Sequence, residues 1–323
     1  MKTVLIVLGC VIAFVAVAAY IVLRLVLNVV IAGEKPKYAK ATNGFMNKIN
    51  KALSQFKDVR EAARERLHKR DSEKVYIKSR DGLTLCGHWI QAENPKRTIV
   101  MMHGFRSSWD KDFCCAVEFF TELGSNLLIV EQRARGESEG KYITYGMLER
   151  YDCVEWMKYA DTRCGGKLPL YADGMSMGAA TVMLASELDL PESTAGIIAD
   201  CGYTSPAEIL THYINKSRNI PEKPLLPILS ALCKTVAGFG FYDRSTIDSL
   251  ANSTHPILLI HGENDLFVPC EMSKRNYEAA KGPKELVIIP GAGHGHSYLV
   301  DTQTCQKGLS SFFDKCENGG WNE

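Results

Sequence analysis

A chain of 323 residues with 38 basic and 37 acidic side chains carries a formal charge of only +1, which excludes a surface built to hold a polyanion such as nucleic acid. Hydrophobic residues at 46% and charged ones at 23% exclude a disordered or fibrous chain, and the length suits one α/β domain with an insertion. The eleven cysteines include no C-x-x-C pair and no regular spacing, so no zinc or other metal site is expected, and they read as mostly reduced thiols packed as small apolar groups.

Val4 to Leu23 runs without a charge until Arg24, and apolar residues resume from Leu25 to Ala32. Twenty helical residues span about 30 Å, the thickness of a bilayer core. A cleaved signal peptide has a shorter apolar region, and the lipoprotein-like Val7-Leu8-Gly9-Cys10 is followed by more apolar residues. Residues 1–33 are therefore read as an uncleaved, single-pass transmembrane anchor. Lys2 precedes the run, whereas Arg24, Lys35, Lys37, Lys40, Lys48 and Lys51 follow it, opposed by Glu34. The positive-inside rule then places the remainder on the cytoplasmic side of the cell membrane; the alternative is the outer face.

Residues 34–72 form a basic stalk, with Phe45, Ile49, Leu53 and Phe56 at helical spacing. That stripe packs on the following domain or lies on anionic lipid. From residue 73 strands and helices alternate. Val75–Lys78 and Leu83–Ile90 flank an Asp81-Gly82 turn and read as a hairpin. Thr98–Met102, Asn126–Val130, Leu168–Ala172, Gly196–Ala199, Ile257–Ile260 and Leu286–Ile289 read as strands. Helices are expected at Phe113–Leu123, Tyr145–Tyr159, Ser176–Ser186, Met272–Ala280 and Tyr298–Phe313. The alternation implies a mostly parallel sheet covered on both faces. Residues 203–250 break it with Pro206, Pro221, Pro224 and Pro227, which predicts a short helical cap over the strand ends.

Gly174-Met175-Ser176-Met177-Gly178 stands between a strand and a helix, the pattern of a nucleophile elbow. The flanking glycines let a strained turn lift the serine hydroxyl to the positive end of the next helix. An ordinary glycine-rich turn with an incidental serine is the alternative. A serine hydroxyl needs a base, and the base an acid, in the order Ser, Asp or Glu, His. Asp265, just past Ile257–Ile260, occupies the expected place for the acid; Asp200 is its rival and Glu263 a third. Gly293-His294-Gly295-His296 after the last strand offers two bases, of which His294 directly follows the turn and is preferred. His103-Gly104 after Thr98–Met102 marks an oxyanion loop, so the N–H groups of Phe105 and Met177 are the expected donors.

These motifs, with Glu131–Gly140 and Gly262–Pro269, resemble the bacterial α/β-hydrolases related to esterases and serine aminopeptidases over roughly residues 73–315. The resemblance implies the α/β-hydrolase fold for residues 73–323, a Ser176–His294–Asp265 triad with Phe105 and Met177 at the oxyanion hole, and no cofactor. Where the family's loop after the fourth strand has Asp, and His before its Gly, this chain has Glu131 and Arg135, which concerns local packing more than chemistry. The expected activity is hydrolysis of a small-molecule ester. Peptide hydrolysis or acyl transfer is the alternative, for which the cap offers Glu208 and Glu222 as ammonium ligands; a non-catalytic, membrane-tethered binding protein is a third. The aromatic residues Tyr203, Tyr213, Phe239, Phe241, Tyr242 and Phe267 line an acyl pocket or form the cap's own core.

Overall fold

The computed structural model describes residues 2–37, 51, 54–216 and 222–321. Helix α1 (Lys2–Ile31) is thirty residues, about 45 Å, long. It is long and apolar enough to cross a membrane. Its large side chains from Val4 to Val22 are exposed, whereas Leu27 and Ile31 are fully buried against the rest of the chain. Helix α2 (Lys57–Lys69) buries Ala63 and Leu67. Its Arg64 and His68 meet Asp110 at 2.6 and 2.9 Å, so this part of the basic region packs on the domain. Of the stripe, Phe45, Ile49 and Leu53 lie outside the described residues, and Phe56 stands edge-on to His296 at 5.0 Å.

Strands β1 (Glu73–Lys78) and β2 (Thr84–Ile90) form the expected hairpin, with Gly82 at φ +89° supplying the turn. Then follow β3 (Arg97–Met102), α3 (Val117–Glu122), β4 (Ser125–Val130), α4 (Glu149–Arg163), β5 (Leu170–Met175), α5 (Met177–Ala185) and β6 (Thr194–Asp200). Helices α6 (Pro206–Lys216) and α7 (Glu222–Ala237) make the cap between β6 and β7 (Ile257–Gly262), and α8 (Thr246–Asn252), also in that interval, returns Leu250 to the core with Val182 and Met183. The chain closes with α9 (Cys270–Ala279), β8 (Lys284–Ile289), α10 (Ser297–Val300) and α11 (Thr302–Asn318).

The eight strands stand in the order β1-β2-β4-β3-β5-β6-β7-β8, antiparallel at β1 and β2 and parallel from β4 onward. Alternate side chains of β3 enter different cores: Val100 and Met102 pack with Trp156, Val182 and Met183, while Ile99 and Met101 pack with Phe120, Phe312 and Phe313. Burial on both faces explains why these strands read as unbroken apolar runs. The carboxyl ends of β3, β5, β6, β7 and β8 lie on one side of the sheet, where such folds place their ligands.

Two helices begin later than their patterns imply, α3 at Val117 rather than Phe113 and α4 at Glu149 rather than Tyr145. Tyr145 and Gly146 take φ of +55° and +88° and end the helical path expected from Tyr145. The Glu149 carboxylate instead accepts the N–H groups of Thr144 (2.7 Å) and Gly146 (2.9 Å), fixing a turn that delays α4 to Glu149. All eleven cysteines are free thiols.

Candidate active site

Ser176 follows directly on β5 and precedes α5, with φ 57° and ψ −112°. Its N–H donates to the Asp200 carbonyl at 2.8 Å, which ties the turn to the end of β6. The glycines are dictated by contact: a Cβ on Gly174 would overlap the backbone of Gly178, and one on Gly178 would overlap the Met102 carbonyl. The elbow is thus pressed between its own helix and β3.

The structure brings Ser176, His294 and Asp265 into one line. The Ser176 hydroxyl donates to His294 Nε2 at 2.9 Å, and His294 Nδ1–H donates to Asp265 Oδ2 at 2.6 Å. The carboxylate can only accept, so it fixes the imidazole tautomer with Nε2 facing the serine. Asp265 Oδ1 accepts the N–H groups of Phe267 (2.7 Å) and Val268 (2.9 Å). His261 Nε2 lies 3.3 Å from Oδ2 and donates to the Val268 carbonyl at 2.9 Å. Burial opposes charge on Asp265, yet the neighbouring imidazoles of His294 and His261 hold its pKa well below the carboxylate range. Burial likewise opposes charge on His294, and the Asp265 carboxylate outweighs it and raises the imidazole pKa.

The other sequence candidates lie elsewhere in the chemistry. Asp200 is buried and receives a long 3.4 Å hydrogen bond from the Ser297 hydroxyl; it is not bonded to His294. Glu263 is exposed. His296 is buried against Phe56, and burial depresses its pKa to about 4. It closes the start of α10 through its carbonyl, which accepts from Leu299 and Val300, and its side chain makes no cap. Glu208 is held by Arg275 at 2.8 Å and by the Thr204 hydroxyl. The Glu222 side chain lies outside the described residues.

The N–H groups of Phe105 and Met177 meet no acceptor among the described residues. The loop that carries Phe105 is braced through the His103-Gly104 motif and by Asp112 outside it. The Gly104 N–H donates to Asp112 Oδ2 at 2.7 Å, and the Ser107 hydroxyl to Asp112 Oδ1 at 2.6 Å. His103 is fully buried; its Nδ1–H donates to the Gly104 carbonyl (2.8 Å) and its Nε2 accepts the Gln132 N–H (3.1 Å). Burial lowers its pKa, in keeping with the neutral ring those two bonds require. Asp112 sits eight residues from Gly104, a distance at which no spacing rule points to it.

Ser176 lies between two hollows. One, of about 380 Å³, is apolar and lined by Phe105, Tyr145, Tyr203, Tyr213, Phe241 and Phe267, with residues of α1, α6 and α7. Of the aromatic residues singled out from sequence, Phe239 packs in the core beneath and Tyr242 is exposed. The other hollow, of about 220 Å³, is the more polar of the two and includes Arg60, Lys111, Asp112 and His294.

A family model described as TAP-like protein matches residues 233–318. The chain is 28% identical over 238 residues to the uncharacterized protein YqkD of Bacillus subtilis, covering 74% of this chain and 78% of that one. It is 29% identical over 211 residues to Protein ABHD12B of Homo sapiens, covering 62% and 55%. The Pyrococcus furiosus esterase Pf2001 superposes at a TM-score of 0.60 with 23% identity, over 76% of this chain and 92% of that one, a likeness of fold. The eight-stranded sheet, the serine at its sharp βα turn and the structural likeness give the chain the α/β-hydrolase fold, and its sequence is similar to that of Protein ABHD12B.

Proposed function

We propose that the protein is a serine hydrolase that cleaves a carboxylic ester through an acyl-enzyme, with Ser176 as nucleophile, His294 as base and Asp265 as acid. The observation that carries the reading is the hydrogen-bonded relay of 2.9 and 2.6 Å from Ser176 to Asp265, beside two N–H groups that meet no acceptor among the described residues. His294 Nε2 takes the Ser176 proton as Oγ attacks the ester carbonyl, and the Phe105 and Met177 N–H groups donate to the resulting oxyanion. His294 then returns the proton to the departing alcohol. A water molecule, deprotonated by the same nitrogen, releases the acid and restores Ser176. Peptide cleavage at a free amino terminus is less favoured, because the described cap glutamate, Glu208, already pairs with Arg275.

The same reading takes α1 as a single-pass anchor in the cell membrane. The excess of Lys and Arg after the apolar run supports a cytoplasmic catalytic domain, as do the free thiols. The test uses the full chain in detergent, because Leu27 and Ile31 belong to the buried core. A fluorophosphonate is expected to label the native protein, and Ser176→Ala and His294→Ala to lose both label and turnover of p-nitrophenyl esters. A folded native chain that takes no label and turns over no ester sinks the proposal and favours a binding role.

A further inference from the structure

The last two turns of α1 are fastened to the loop that carries the oxyanion donor. A helix ends with four carbonyls that lack partners within it. Here Arg106 donates to the Val29 carbonyl (2.9 Å) and to that of Ala32 (2.9 and 3.1 Å), and the Tyr145 hydroxyl donates to that of Val30 (2.9 Å). The Ile143 N–H donates to the Ile31 carbonyl at 2.7 Å, and Arg135 reaches the Gly33 carbonyl at 3.0 Å. Arg106 and Tyr145 both hold positive φ, 53° and 55°, a conformation that is unfavourable in a residue with a side chain. The fold therefore maintains strain at the two residues that grip this helix end, and Arg106 is the immediate neighbour of Phe105.

The grip has a consequence for the apolar hollow: Val26, Val29 and Val30 of α1 form part of its wall, with Ser176 also on its lining. Val22, Val26 and Val30 recur every four residues and so share one helix face. Val22 is 58% and Val26 36% exposed, while Val30 is half-buried in the hollow. That face is a continuous apolar track from the bare, membrane-length part of α1 to the reacting serine. At about 380 Å³ the hollow is within the roughly 300–1,000 Å³ range of small-molecule sites.

Resting on the serine-hydrolase reading, we propose that the substrate is a fatty-acyl ester resident in the bilayer, and that its acyl chain enters along α1 into a pocket that the anchor helix itself completes. The chain lies against Val26, Val29 and Val30, and the ester carbonyl reaches Ser176. The alcohol, protonated by His294, leaves through the more polar hollow. The acyl group becomes a carboxylic acid on hydrolysis, with one water consumed.

The test reconstitutes the full chain in phosphatidylcholine vesicles and measures kcat/KM on p-nitrophenyl esters from butyrate to palmitate. Val26→Phe and Val29→Trp narrow the pocket; Val15→Trp, on the exposed part of α1, is the control. The native protein is expected to prefer long chains. Each pocket variant is expected to lower the palmitate-to-butyrate ratio by about tenfold or more, as steric exclusion of several methylenes requires, while Val15→Trp leaves it in place. Val26 is partly exposed, so Val26→Phe still answers where Val29→Trp does not fold. Unmoved ratios in labelled, folded pocket variants overturn the pocket assignment and leave the serine-hydrolase reading standing. Absence of fluorophosphonate label in the native chain overturns that reading instead, and the proposal with it.

Discussion

The ends of β6 and β7 each carry a buried aspartate close to His294, and the two are held differently. Asp265, past β7, accepts two backbone N–H groups on one oxygen and His294 on the other, with His261 beside it. Asp200, ending β6, receives one long bond from Ser297, and burial pushes its pKa up to about 6. Burial alone opposes ionisation in both. What separates them is the β7 loop, which doubles back over Asp265 and supplies donors that only a charged oxygen repays. Being an aspartate at a strand end is therefore not enough to orient a base; the loop has to hold it charged.

Breaking that contrast gives a graded set of expectations. Asp265→Asn removes the acceptor that fixes the His294 tautomer, and ester turnover is expected to fall about 10⁴-fold with the circular dichroism unchanged. A loss of less than tenfold transfers the role to Asp200. The next effect is on pH. His294 accepts the Ser176 proton only when neutral, and Asp265 raises its pKa above 6.5. The kcat/KM profile is therefore expected to lose activity as pH falls through that raised value. Asp200 contributes to the same rise, so Asp200→Asn is expected to move the acid limb to lower pH and to change the plateau by less than about tenfold, since no hydrogen bond to the base is broken. The smallest effect belongs to Glu263→Gln, an exposed position, where kcat/KM is expected to stay within about twofold of native.

The legible parts of this molecule are those written at short range. Gly174-x-Ser176-x-Gly178 announces its turn because two close backbone contacts forbid side chains at fixed offsets from the serine. The apolar runs announce a sheet buried on both faces. Position past the strand favoured Asp265 over Asp200, but what holds Asp265 charged was not legible, because it depends on where Phe267 and Val268 turn their N–H groups. Asp112 and His261 brace the site through contacts that no spacing encodes. The late start of α4 was hidden for a related reason: Glu149 is a good helix former, and nothing local says that its carboxylate closes the preceding turn. Arg135, which departs from the resembling family's pattern, has its explanation at long range, in bonds to the Ser107 and Gly33 carbonyls. The last turns of α1 read as more of the same apolar anchor, and only the folded chain distinguishes Leu27 and Ile31 from the bare residues before them.

On the proposed reading of α1 as a membrane anchor, that fastened helix end also removes any swivel between the anchor and the body of the protein. A flexible tether would let the serine sample a wide range of heights and tilts. Here Val26 and Val30 stand roughly 5 and 10 Å along the axis beyond Leu23, at 1.5 Å per residue, so the altitude of the pocket is set by where α1 is seated. A rigid mount of this kind selects by depth as well as by shape. It reaches bonds that lie near one level above the apolar run, and tilting or shifting α1 would change which bonds those are.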